Sequence, residues 1–370
     1  MDLKNLKNAV GLHKVSNWYG RHERPLSSLS LIGGFVFDAL TLRRVDAVWE
    51  NFWILGHLVI VAVFIVFVHS VRIEPGDEAN PSKTHFWLVN ILQFFFGGLL
   101  SVFLVFYFRS AELSTNWPFL LLLAVAFWAN ESLKRRFVRM NFQLSLFFLS
   151  LFCCFIYLTP LMLHRIGTWV FIFSGFLSLF AMFIFLNILV RFSRKNFYKD
   201  RRMIFLSVGV IFVVINILYF TNLIPPIPLS LKDFGVYHSI TKTGVDSYTA
   251  KYENFGWKSF FEIYPNFHIS LGDTAYAYSA VFSPTDLNIT IIHQWQYYDE
   301  TTKKWTDYDK VSLSVLGGRE GGFRTYSVKS GLFPGYWRVN VTTSRGEVIG
   351  RLRFYVTNGL PVSPTTKVLE

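Results

Sequence analysis

Residues 33–46 read GGFVFDALTLRRVD, an apolar run with Asp38 inside it and two arginines and a second aspartate behind it. Whether this stretch crosses a bilayer or lies beside one fixes the side on which every later segment emerges. Hydrophobic residues make up 52% of the 370 and charged residues 16%, against roughly half and roughly a quarter in soluble domains. The shortage of charge is local. Residues 1–230 hold long apolar runs, whereas 231–370 alternates and turns like an ordinary soluble chain, so two domains are expected. Up to Ser230 there are 21 Lys and Arg against 11 Asp and Glu, and afterwards 15 against 13. The net +12 therefore belongs mostly to the apolar half. Anionic lipid and orientation account for it there, and no nucleic-acid partner is expected.

Five runs, 52–71, 86–108, 141–163, 168–190 and 203–223, hold the roughly 20 apolar residues that cover a hydrocarbon core. Two shorter runs compete for the same role, WPFLLLLAVAFWA (117–129) and LSSLSLIGGFVFDALTL (26–42). If both cross, the tail to Pro25 and loops 72–85, 131–140 and 191–202 share one side with 17 Lys and Arg, while loops 43–51, 109–116 and 164–167 share the other with 4. Basic residues accumulate in short cytoplasmic loops. Seven crossings therefore predict a cytoplasmic N-terminus and an external C-terminal domain, which in a bacterial inner membrane means the periplasm. If one of the two short runs is dropped, whichever it is, the basic tail lands opposite both KRRFVR (134–139) and RKNFYKDRR (194–202). The opening MDLKNLKNAVGLHK has no apolar core behind its lysines, so no cleaved signal peptide is expected.

An ionisable group in a span costs about 2.5 to 3.5 kcal/mol on insertion scales and usually faces protein or water. Asp38 has two readings. It pairs with Arg43 or Arg44 to finish a helix end, or it converges with Arg43, Arg44, Asp46 and His57 as a polar site near the outer interface. Asn90, Gln93, Asn187 and Asn216 are the remaining conspicuous polar groups and suit hydrogen bonds to neighbouring helices, while Gly33 and Gly34 suit close helix packing. Cys153 and Cys154 are adjacent, which gives neither a loop-closing bridge nor zinc spacing. No HExxH, GxSxG, Walker loop or CxxC pair occurs, so no metal and no cofactor are expected and catalytic residues stay unassigned.

Pro225, Pro226 and Pro228 make 224–230 a stiff spacer between the helical domain, 26–223, and the C-terminal domain. Beyond it, alternating runs such as AYAYSAVF (275–282), NITIIHQWQYY (288–298) and YWRVNVTT (336–343) are separated by turn segments SPTD, DETTKK, GGREGG and SRGE. This predicts an all-β, immunoglobulin-like antiparallel sandwich over 231–358 and a terminal tail over 359–370. Ile289, Ile291, His293, Trp295 and Tyr297 fall on one face of their strand.

Within that region, HQW (293–295), RTYSVK (324–329), GYWRV (335–339), GEVIG (346–350) and FYV (354–356) come one after another in order. The pattern resembles the bacterial domain-of-unknown-function family 2914, which runs H-x-W, R-x-Y-S-x-K, G-x-W-R-V, G-x-x-x-G and F-x-V. The resemblance implies a β-rich module often attached to membrane spans, and it implies no substrate.

His293, Trp295, Arg324, Tyr326, Lys329 and Arg338 are the candidate ligand-binding residues. On one reading they line a patch where rings stack on sugars and guanidiniums fork onto anions. On the other, the tryptophans fill the core and the arginines ladder across strands. The expectation is an α-helical polytopic membrane bundle of about seven spans carrying an external sandwich. That sandwich binds an envelope glycan, an anionic group or a partner protein. The alternative is a membrane-embedded enzyme or transporter with its site near Asp38 and His57.

Overall fold

The computed structural model describes residues 33–42, 47–70, 83–132, 139–244, 247–253, 262–270, 272–285 and 287–369. Seven helices occur among them: α1 (33–41), α2 (Val48–Ser70), α3 (Lys83–Arg109), α4 (Leu113–Ser132), α5 (Met140–Leu163), α6 (Thr168–Phe192) and α7 (Arg194–Phe220). Six of them, α2 to α7, are long and apolar enough to cross a bilayer. The short run 117–129 becomes a 20-residue helix because Glu112 caps it. Its carbonyl accepts from the Thr115 and Asn116 amides at 3.0 and 2.8 Å, and its own amide donates to Asn116 Oδ1 at 2.9 Å. The cap gives partners to amides a helix start leaves open. Of the other short run, 26–42, residues 26–32 lie outside the described residues, so six long spans are counted among the described residues. α1 is amphipathic: Phe37 and Leu40 are exposed, while Phe35, Asp38 and Leu42 are turned inward.

The chain forms two compact units: Met1–Val105 with Leu123–Leu151 and Ala181–Gly209, and Phe106–Leu122 with Phe152–Phe180 and Val210–Glu370. In the first, the rings of Phe147 and Phe185 meet at 4.6 Å, and polar side chains bond across helices, His69 to Gln143 at 3.0 Å and Ser207 to Asn141 at 2.9 Å. In the second, Phe152 stacks on Phe171 and Phe212 at 5.9 and 5.6 Å, with Gly175 leaving room for both rings. Asn187 and Asn216 donate to carbonyls one turn back in their own helices at 2.8 and 2.7 Å, so neither needs a partner elsewhere.

The second unit ends in a β-domain of three sheets among the described residues, with orders β1-β5-β8, β4-β10-β9-β6-β7 and β11-β3-β2. The strands are β1 (Ser230–Tyr237), β2 (Ser239–Lys242), β3 (Tyr248–Glu253), β4 (Asn266–Ile269), β5 (Thr274–Phe282), β6 (Ile289–Asp299), β7 (Lys304–Val315), β8 (Phe323–Ser330), β9 (Gly335–Thr343), β10 (Val348–Asn358) and β11 (Pro364–Leu369). Pairing is antiparallel except between β4 and β10. Where a two-sheet, immunoglobulin-like sandwich was expected, β1-β5-β8 is a middle layer. Ala275 and Ala277 of β5 pack with Trp295, Trp337 and Val339 of the five-stranded sheet, while Tyr278 and Ala280 pack with Ile240, Ala250 and Leu369 of the third. The segment expected as a tail supplies β11, which pairs with β3 along its length.

Candidate functional site

Within the first unit, α1 to α4 enclose a cavity of about 750 Å³. Its polar lining comprises Asp38 of α1, His57 of α2, Asn90, Gln93 and Ser101 of α3, and Asn130 and Glu131 of α4. Rings of Phe35, Trp53, Phe94, Phe95 and Phe127 supply much of the rest. Asp38 accepts a hydrogen bond from Ser101 Oγ at 2.6 Å. Arg43, Arg44 and Asp46, expected beside it, lie outside the described residues. His57 places Nδ1 2.9 Å from the Trp53 carbonyl, which makes Nδ1 the donor and leaves Nε2 as an acceptor. That nitrogen faces Gly98, where a Cβ would sit 3.6 Å away, so the missing side chain leaves the space open. Gln93 and Asn130 exchange bonds reciprocally: each amide donates to the other's main-chain carbonyl, at 2.7 and 3.0 Å, and ties α3 to α4. From Gln93 to Ser101 is roughly 12 Å along α3. Asp38 and Glu131 are thus joined to α3 at points about two turns apart, Asp38 through Ser101 and Glu131 at 3.4 Å from the Gln93 amide.

The six residues expected to share one β-domain patch do not share one. His293 and Trp295 are 0% exposed and sit in a buried hydroxyl network. His293 Nε2 lies 2.8 Å from Ser279 Oγ and Nδ1 2.9 Å from Ser327 Oγ, while the Trp295 indole donates to Ser327 Oγ at 3.0 Å. In the neutral ring one nitrogen donates to its serine hydroxyl and the other accepts from its own, so both ring nitrogens have a partner. The neutral ring is fully satisfied, and burial holds its pKa down to about 4. Arg324 lies beside Tyr278. Tyr326 is partly exposed among the rings of Tyr248 and Tyr276, each at 6.1 Å. Lys329 pairs with Asp309 and lies 5.3 Å over Tyr308. Arg338 lies on the outer face of the five-stranded sheet, 4.2 Å over Trp305, with Nε donating to Gln296 at 2.7 Å.

Other charged residues, not singled out from sequence, join the β-domain to the ends of spans in its own unit. Arg345 NH1 donates to Thr168 Oγ1 and Tyr219 OH, and its guanidinium lies 4.1 Å over the Tyr219 ring. Glu347 supports it at 3.5 Å from Nε. Burial pushes the Glu347 carboxyl up from its ordinary value, and Arg345 and the Thr343 hydroxyl offset only part of that. Arg351 and Arg353 reach Glu112 at 3.7 and 3.2 Å and donate to Ser114 Oγ at 2.8 Å each. Burial opposes ionisation of Glu112, yet the Ser114 and Thr115 hydroxyls and the two guanidiniums outweigh it and hold the carboxyl below its ordinary value. The signal was present in the alternation GRLRF, which sets Arg351 and Arg353 on one face, and in the charged turn SRGE. Nothing in the sequence said what that face meets.

No curated protein matches the chain. Among solved structures, a β-glucosidase from Listeria innocua in complex with gluconolactone aligns at 13% identity and TM-score 0.19, over 35% of this chain and 16% of that one. The Pseudomonas fluorescens alkylpurine DNA glycosylase AlkC, bound to DNA containing an abasic site analog, aligns at 9% identity and TM-score 0.21, over 85% and 99%. Likeness at that level carries no argument. Residues 288–356, from the start of β6 into β10, match the family described as "Protein of unknown function (DUF2914)".

Proposed function

We propose that this is a multi-pass membrane protein whose helical domain binds a small solute with a cationic or hydrogen-bond-donating group in the cavity of α1 to α4. The observation that carries the reading is a carboxylate and an imidazole lining one cavity among apolar helices. Asp38 bonds Ser101, eight residues before the end of α3, and His57 lies midway along α2. Ionisable groups at such depth are costly and mark ligand or ion paths. Aromatic rings beside a carboxylate favour a cation. With no catalytic motif in the sequence, binding or passage is favoured over chemistry.

The orientation that goes with this reading completes a seventh crossing with 26–42 and puts the β-domain outside a bacterial inner membrane. Its support is the 17 to 4 bias of Lys and Arg between alternate segments. The β-domain is joined to the span ends of its own unit by Arg345, Arg351 and Arg353. A second reading, an envelope glycan stacking on the β-domain, draws on the exposed ring cluster at Tyr326.

The test is binding of a dansyl-alkylammonium probe to the full-length protein in nanodiscs. Wild type binds saturably, whereas Asp38→Asn and Gly98→Leu each weaken binding about tenfold or more, by loss of a charge partner and by filling the space. Equal affinity in all three proteins refutes the proposal.

A further inference from the structure

We propose that Arg338, Arg351 and Arg353 form a binding site for a phosphate-bearing ligand at the level where α3 and α4 leave the lipid. Arg353 stands opposite Arg338 in the β9–β10 register, and Arg351 stands opposite Asn340. Strand alternation puts all three on the face opposite the buried Trp337 and Val339. Three guanidiniums there share a single carboxylate, Glu112, which is already engaged by Arg351 and Arg353. Among the described residues no carboxylate lies within ion-pair distance of Arg338. Asp307 reaches it only through Gln296 and is itself paired with Lys310 at 2.9 Å. Burial and the like charges of Arg351 and Arg353 lower the Arg338 pKa to about 10, against the opposing pull of Tyr264 and Glu112.

The surroundings fit a phosphate at a membrane surface. Trp305 fixes the plane of the Arg338 guanidinium from one side, and a guanidinium so held forks onto phosphate oxygens bidentately. Tyr264, Tyr336 and Tyr355 form a ladder with ring centroids 5.0 and 4.8 Å apart, and such half-polar rings are favoured at headgroup depth. Glu112 ends the short turn between α3 and α4 and Ser114 lies in the first turn of α4, so the guanidiniums that grip them stand where two span-length helices end, at the depth of lipid phosphates. None of these residues lines the α1 to α4 cavity, and the site is independent of the solute reading.

Two sources offer the same chemistry, an anionic phospholipid and a soluble phosphate group, and the experiment separates them. The full-length protein is placed in nanodiscs of phosphatidylcholine with a minority of phosphatidylglycerol, and retained lipid is counted by native mass spectrometry. In parallel, the thermal midpoint is monitored with inorganic phosphate added in phosphatidylcholine alone. Wild type retains phosphatidylglycerol preferentially, and Arg338→Gln, which leaves the Glu112 contacts in place, retains about tenfold less. Stabilisation of wild type by inorganic phosphate without lipid preference, absent in Arg338→Gln, supports the site and assigns it to a soluble ligand. Arg338→Lys, which keeps the charge but loses the fork, falls between the two and serves where the glutamine variant does not fold. Indistinguishable lipid retention and phosphate response in wild type and both variants overturn the proposal.

Discussion

Acidification should unlock the β-domain through one residue, His293. A histidine whose folded pKa lies below its unfolded value takes up its proton preferentially in the unfolded chain. Its contribution is complete above pH 6.5 and is lost as pH falls toward about 4. The geometry supplies the cause. A second proton would make both ring nitrogens donors, so that Ser279 and Ser327 must both accept, and would leave a charged ring with no counter-ion in the buried interior of the domain. A depression from 6.5 to about 4 corresponds to about 3 kcal/mol, most of which is lost by about pH 4.5. The assay is urea unfolding of the intact protein in detergent, read by near-ultraviolet circular dichroism of the buried tryptophans, at several pH values between about 7 and about 4.5. His293→Gln removes the titrating group, so wild type is the more stable at neutral pH and the difference between the two shrinks on acidification. A difference that stays constant across the range refutes the argument, because it would mean that the ring is not excluded from water.

Arg345→Ala should cost about 3 kcal/mol in the same unfolding measurement, since it leaves Glu347 buried without its cation. Gly322→Ala should destabilise by about 1 to 3 kcal/mol, because Gly322 has φ +86° and a Cβ there would meet the Ala280 carbonyl carbon at 2.8 Å. Trp337→Ala should cost about 3 to 5 kcal/mol and blunt the near-ultraviolet signal, the ring being 0% exposed. Cys153 and Cys154, both buried, should react with a maleimide only as fast as the helical bundle unfolds, which a denaturant series read by mass spectrometry will show.

Much of this was legible in the sequence where a single periodicity decides. The five long apolar runs became α2, α3, α5, α6 and α7, and the alternating strands from AYAYSAVF to GRLRFYV became β5 to β10. Strand parity likewise put His293, Trp295 and Tyr297 on one face, although it left open whether that face was a surface or a core. The run 117–129 was too short to stand alone, because the helix is extended through Ser114, Thr115 and Asn116, polar residues held by the cap at Glu112 instead of by hydropathy. Contacts made at large separation left no local trace. Arg345 is 177 residues from Thr168, and Arg353 is 241 from Glu112, so no window of sequence joins them. The third sheet was missed for the same reason, since β11 meets β3 across more than a hundred residues.

The middle sheet also sets the practical limits of the β-domain. The family match ends at residue 356, and trimming a fragment there looks natural. Such a cut removes β11, strips β3 of a partner, and uncovers Tyr278 and Ala280, which lie at 1% exposure beneath Leu369. A bare, alternating edge of that kind recruits other chains. A truncated fragment is therefore expected to precipitate or to associate with itself, and soluble preparations should retain the sequence through Leu369.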